Sequence, residues 1–270
     1  MAVVTVPARA PHVLLTVDDE GCARIDGTEL FSGGVDDLIA RLDAAGPGTA
    51  PLHLITPNVD QLVMLERDPL LRDAFRHAEL LIPDGSPLVL LGRALGAHRL
   101  HRLTGADLLP EVAARAPGRG WRIAMTGGAP GVAEEAARRL RQQYGADVVT
   151  VPFPLISGVD DPAGREVVDG LAALRADWVF VCLGSPKQDV WVHRWRSELP
   201  PGIYVGAGAA VDFAAGIKRR APRVMQAVGA EWLFRLAQEP RRLARRYLLR
   251  GPLFLGVAAR STLVRLRGRR

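Results

Sequence analysis

Short, mostly apolar runs alternate along this chain with longer stretches whose apolar residues recur every three or four positions. The runs Leu52–Ile55, Leu80–Ile82, Trp121–Met125, Val148–Val151, Trp178–Leu183 and Ile203–Val205 read as strands. Segments of this length, bounded by turn residues, suit a buried strand. Helical spacing fills most of the intervals, at about 59–77, 86–95, 105–116, 131–144, 162–175 and 188–197. Upstream, His12–Val17 and Ala23–Ile25 read as short strands beside the turns Asp18-Asp19-Glu20-Gly21 and Asp26-Gly27. Val35 to Ala45 repeats apolar residues at Val35, Leu38, Ile39 and Leu42, one face of a helix. This alternation predicts an α/β fold: a Rossmann-like, mostly parallel sheet with helices on both faces. Ligands of such sheets bind beyond the carboxyl ends of the strands, so chemistry is expected in the loops there.

Beyond Ala209 the pattern turns helical. Glu231 to Ala237 precedes Pro240, which suits the first position of a further helix over Arg241 to Arg250. Leu253 to Leu266 mixes Leu, Val and Ala with Arg and reads as an amphipathic surface helix. Charge separates this end from the rest. The 270-residue chain carries +6, yet Arg235 to Arg270 holds eleven Arg against the single acid Glu239, so the remainder is mildly acidic. We expect an α/β domain over 1–229 and a helical, basic C-terminal appendage over 230–270. A chain ending before Ala230 is expected to fold and be nearly inactive. The asymmetry points to an anionic partner: lipid head groups, diphosphates or nucleic acid. No run of about 18 apolar residues offers a bilayer span. Met1 to Val17 lacks the layout of a secretory signal. Two cysteines, Cys22 and Cys182, cannot build a disulfide framework or a zinc site. Cys182, inside an apolar run, reads as a small core residue.

Five loops follow predicted strands. Thr56-Pro57-Asn58 offers polar groups and a helix start, although Asn58 with Gln61 also has capping-box spacing. Pro83-Asp84-Gly85 is a β-turn signature, and a carboxylate at a strand end is placed to act as a general base. Thr126-Gly127-Gly128 to Gly131 lets backbone approach a ligand at a helix N-terminus. It is not G-x-G-x-x-G, and the next strand lacks a terminal acid, which counts against a dehydrogenase. Gly184-Ser185-Pro186-Lys187-Gln188-Asp189 empties an apolar strand into polar residues and holds one of only two lysines. Gly206 to Phe213 is rich in small residues and includes Asp212. None of the six histidines has convincing metal-ligand spacing. Polar strand-end loops without a metal cluster suit a nucleotide-sugar site better than a hydrolase.

Together these loops resemble the WecG/TagA/CpsF glycosyltransferases (glycosyltransferase family 26). The match starts near Asp26-Gly27 and reaches about Phe254. Besides the loops above, it rests on Arg102 to Asp107, Arg219-Arg220-Ala221-Pro222, Glu231-Trp232, Arg235 and Glu239-Pro240-Arg241. The resemblance implies an inverting transfer from a UDP-sugar, of N-acetylmannosamine type in the best-known members, without an essential metal or cofactor. It implies a polyprenyl-diphosphate-linked sugar as acceptor at the cytoplasmic face of the membrane. It places the base at Asp84 and further catalytic groups at Thr56, Asn58 and Arg102. Substrate binding falls to Gln188, Lys187, Asp212, Gly127, Gly128, Gly184, Gly206, Arg235, Arg242 and Arg245. The metal-free leaving group then needs arginines and helix N-termini, since a guanidinium donates to phosphate in a fork. Departures are Asp189 where the family has Glu, Ser86-Pro87 after the turn, and Val151-Pro152-Phe153-Pro154 in place of a Gly-Tyr-Phe-like stretch. The expected partners are the UDP-sugar, the lipid-linked acceptor and an anionic membrane surface. No nucleic acid is expected, and a homo-oligomer is compatible with the sequence. A non-catalytic nucleotide-binding or scaffold protein, and a transferase acting on a soluble acceptor, are the competing readings.

Overall fold

A computed structural model describes residues 12–44, 48, 50–222, 224–225, 230–245 and 250–268, without the side chains of Arg242 and Arg245. Its sheet begins with three short strands, β1 (Leu15–Val17), β2 (Ala23–Ile25) and β3 (Thr28–Leu30). They form an antiparallel meander. Then follow β4 (Pro51–Ile55), β5 (Leu80–Leu81), β6 (Arg122–Gly127), β7 (Asp147–Val151), β8 (Trp178–Cys182) and β9 (Gly202–Gly206). One nine-stranded sheet results, ordered β1-β2-β3-β5-β4-β9-β8-β6-β7 and parallel from β3 to β7. All five residues of β8 are buried, as a parallel strand covered on both faces requires.

The helices are α1 (Val35–Ala44), α2 (Val59–Met64), α3 (Pro69–His77), α4 (Ser86–Leu95), α5 (Gly105–Arg119), α6 (Val132–Tyr144), α7 (Ala163–Leu174), α8 (Lys187–Trp195) and α9 (Ala210–Ala214). The C-terminal part adds α10 (Glu231–Gln238), α11 (Pro240–Arg245) and α12 (Gly251–Gly268). The α/β expectation holds. Two local readings change. The single helix over 59–77 is two, because Asp68 caps a new start through Leu71 N at 3.0 Å with Pro69 at its first position. The meander also has a third strand, Thr28–Leu30, which joins it to the parallel sheet beside β5.

The helix α12 packs on the domain. Phe254 and Val257 are buried in the cluster that holds Val13, Leu15 and Leu88. Ser261 Oγ accepts a hydrogen bond from Leu15 N at 3.0 Å, satisfying an amide on the edge strand β1. Arg260 pairs with Glu66, and Arg265 with Asp19 at 3.1 Å. Two arginines of the basic end are therefore used within the protein. Among the described residues, no helix is long and apolar enough to cross a membrane.

Candidate active site

The chain runs from β4 outward to β5, then crosses to β6 on the far side, so the direction of winding reverses near β4 and β9. Open α/β sheets form their ligand crevice at such a reversal. Here the carboxyl ends of β5, β4, β9 and β8 open into a cleft of about 590 Å³. Each strand brings one loop. Thr56 and Asn58 follow β4, Asp84 follows β5, Gly184 and Gln188 follow β8, and Ala207 to Asp212 follow β9. Arg102 and Thr104 enter from the start of α5. The C-terminal part closes the far wall with Glu231, Trp232, Arg235, Arg250 and Phe254.

Asp84 stands on a rigid turn. Its backbone N donates to Pro57 O at 2.9 Å, and Leu103 N donates to Pro83 O at 3.0 Å. Gly85 takes φ +123°, a conformation L side chains rarely adopt, and lets the chain enter α4 at once. The Asp84 carboxyl makes no hydrogen bond or ion pair among the described residues. Burial pushes it up to about 6, against the pull of Arg235 and Arg102, while Asp107 and Glu231 push the same way as burial.

Around it lies a lattice of charges. Arg102 Nη1 reaches Glu231 Oε2 at 2.8 Å, tying the start of α5 to α10. Arg220 Nη2 reaches Asp107 Oδ1 at 2.6 Å. The guanidinium carbons of Arg220 and Arg235 lie 5.3 and 5.8 Å from the ring centre of Phe213, within cation–π range. Lys218 Nζ reaches Asp212 Oδ2 at 2.9 Å and Glu239 Oε1 at 3.2 Å. Arg102, Arg220 and Lys218 are thus each held by a carboxylate, and the wall carries both signs of charge.

The structure sorts the sequence-predicted residues. Asp84, Arg102, Thr56, Asn58, Gln188, Asp212, Gly184 and Arg235 converge on the cleft. Some of these hold the walls as well. Thr56 Oγ1 donates to Gly206 O at 2.6 Å, and Asn58 Oδ1 caps α2 through Asp60 N and Gln61 N. Gln188 Oε1 accepts from Gly184 N and Gly208 N, each at 3.0 Å. Gly206 ends β9 just behind the lining, and the exposed Lys187 starts α8 outside it. Gly127 and Gly128 also lie outside. A Cβ on Gly127 would meet Cys182 O at 2.8 Å, and one on Gly128 would meet Val211 Cγ2 at 3.0 Å. The side chains of Arg242 and Arg245 lie outside the described residues. Asp60, Lys218 and Arg250 were not anticipated as lining, and Arg220, Phe213 and Glu231, although within the motifs, were given no role in the site. The Thr104/Asp107 capping box was legible in the spacing, but the partners of Asp107 and Arg102 come from over a hundred residues away.

Folding also assembles a group that spacing did not reveal. Asp73, His77 and His193 bring possible ligand atoms within 4.8 Å, with His193 Nε2 and Asp73 Oδ2 2.9 Å apart. They lie on α3 and α8, outside the cleft lining.

The fold and cleft define an α/β protein whose strand-end site is lined by interleaved arginine, lysine and carboxylate side chains. A model of the glycosyl transferase WecG/TagA/CpsF family matches residues 23–268, from the start of β2 to the end of α12, and the chain belongs to that family. It is therefore a glycosyltransferase of cell-surface polysaccharide synthesis.

Proposed function

We propose that the chain moves a sugar, of N-acetylmannosamine type or related, from a UDP-sugar to a polyprenyl-diphosphate-linked acceptor, with inversion and without a metal. The observation that carries this is Asp84: a carboxyl without a hydrogen-bond or ion-pair partner among the described residues, raised by burial, facing Arg235 and Arg102 at the end of a parallel strand. As a base it takes the proton of the acceptor hydroxyl while that oxygen bonds to the anomeric carbon. The bond to the UDP oxygen breaks on the opposite face. Arg102, Arg235 and the start of α5 hold the charge of the departing diphosphate. Arg242 and Arg245 are proposed for the same diphosphate, and Asp212 and Gln188 for donor binding. On this reading residues 1–229 form the α/β glycosyltransferase domain and 230–270 an appendage that covers the cleft and contacts the membrane. UDP release from a panel of UDP-sugars with a lipid-linked acceptor, in excess EDTA, tests the proposal. Release should need both substrates and be unaffected by EDTA. No release from any donor would overturn the enzyme reading, and a strict metal requirement would overturn the leaving-group account.

The raised carboxyl also sets a pH profile. A base works deprotonated, so kcat/KM should be level above about pH 6 and fall about tenfold per unit below it. A profile level down to pH 4 would remove Asp84 from that role.

We further propose peripheral attachment at the cytoplasmic face of the membrane, through α12. Leu255, Leu263 and Leu266 are exposed and spaced to share one face of a helix that starts at the cleft rim. Serine at all three positions should release the protein from anionic liposomes without lowering its melting temperature. Unchanged co-sedimentation would exclude this face.

A further inference from the structure

We infer that Asp189 is a positioning residue for transfer: its carboxyl fastens the loop after β4 to the loops after β8 and β9, setting the width of the cleft at Asn58 and Gln188. The inference rests on the transferase reading above.

Asp189 is fully buried in the first turn of α8. Its Oδ2 accepts from Gln61 Nε2 at 2.9 Å. Gln61 is itself buried, and its Oε1 accepts from Asn58 N at 3.1 Å, closing the capping box that orients Asn58. Its neighbour Gln188 meanwhile holds Gly184 N and Gly208 N. Residues 188 and 189 thus connect all three loops. Gly206 completes the joint. A Cβ there would collide with Asp189 Oδ1 and lie 2.8 Å from Gln188 Nε2, so the glycine lets both side chains lie against the end of β9. Thr56 then takes the Gly206 carbonyl from the other side.

A carboxyl is an expensive way to build such a joint. Among the described residues no cation pairs with Asp189, and its Oδ1 is buried without a geometric hydrogen-bond partner, as is the nearby Ser185 Oγ. An asparagine offers Gln61 the same acceptor with less desolvation. Burial pushes the Asp189 carboxyl up to about 7, with the polar groups of Gln61, Gln188 and Ser185 pulling the other way. The joint therefore depends on the acceptor that residue 189 offers Gln61, not on its charge.

The test compares Asp189→Ala, Asp189→Asn and, from the other end of the link, Gln61→Ala. Asp189→Ala should lower kcat about 10²-fold with donor KM within threefold, since misplacing groups by an ångström costs that much. Asp189→Asn should restore kcat to within threefold of wild type, because the acceptor for Gln61 returns. Hydrogen exchange over residues 56–61 should quicken at least tenfold in both alanine variants, and this readout needs no turnover. If Asp189→Ala fails to fold, Gln61→Ala must reproduce the kcat loss. Unchanged exchange in the alanine variants, or a loss that falls on KM alone, overturns the inference. An inactive wild type with the expected exchange pattern would instead overturn the transferase reading.

Discussion

Changing Asp84 to asparagine is expected to slow transfer about 10³-fold while leaving UDP affinity within a few-fold of wild type. The isosteric amide keeps the turn, whose hydrogen bonds are all backbone: Asp84 N to Pro57 O and Leu103 N to Pro83 O. It removes the capacity to take a proton and, with it, the buried charge. The variant should also melt at the same or a higher temperature. The folded carboxyl sits at about 6, above its ordinary value near 4, so the folded state binds its proton more tightly than the unfolded chain does. Stability therefore falls as pH rises through that interval and stays lower above it. At pH 8 the wild type carries this full penalty and the amide carries none. Catalytic groups are often held against the stability of the fold in this way. Stopped-time transfer assays, UDP titration and a melting curve at pH 8 suffice. Wild-type turnover would dismiss the base, and a lowered melting temperature would assign Asp84 to structure.

The strands and the strand-end loops were legible because apolar runs and turn residues are local signals. Their neighbours were not. Gly127 and Gly128 follow a strand as surely as Gly184 does, but β6 lies outside β8 in the sheet, so those glycines face Cys182 and Val211. Strand order depends on crossovers that no local pattern records. Thr28–Leu30 escaped for a related reason: three residues with a charged centre carry almost no periodicity, and pairing with β2 and β5 makes them a strand. The break at Asp68-Pro69 was readable, and the long apolar periodicity across it masked it. In the basic end, charge alone pointed only to an anionic partner, with nothing to reserve Arg260 and Arg265 for the protein itself. Their pairing with Glu66 and Asp19 depends on where α12 lands.

That landing alters the expected result of ending the chain before Ala230. Such a chain should lose transfer below detection, and it should also lose a substantial part of its stability. Without α12, Phe254 and Val257 no longer cover Val13, Leu15 and Leu88, and Leu15 N loses Ser261. Burying two such side chains is worth about 3–6 kcal/mol together, a large share of the 5–15 kcal/mol that holds a domain. The truncation alone therefore cannot separate cover from brace. Arg235→Ala can, because it leaves α12 in place. Arg235 lines the cleft, lies over Phe213 and faces Asp84. If it stabilises the leaving diphosphate, its loss should lower kcat by about 10²–10³-fold with an unchanged melting temperature. Arg235→Lys should recover only part of the rate, since an ammonium keeps the charge without the fork. Full activity in Arg235→Ala, beside an inactive truncation, would make the C-terminal helices a brace for β1 and leave the diphosphate to Arg102 and the start of α5.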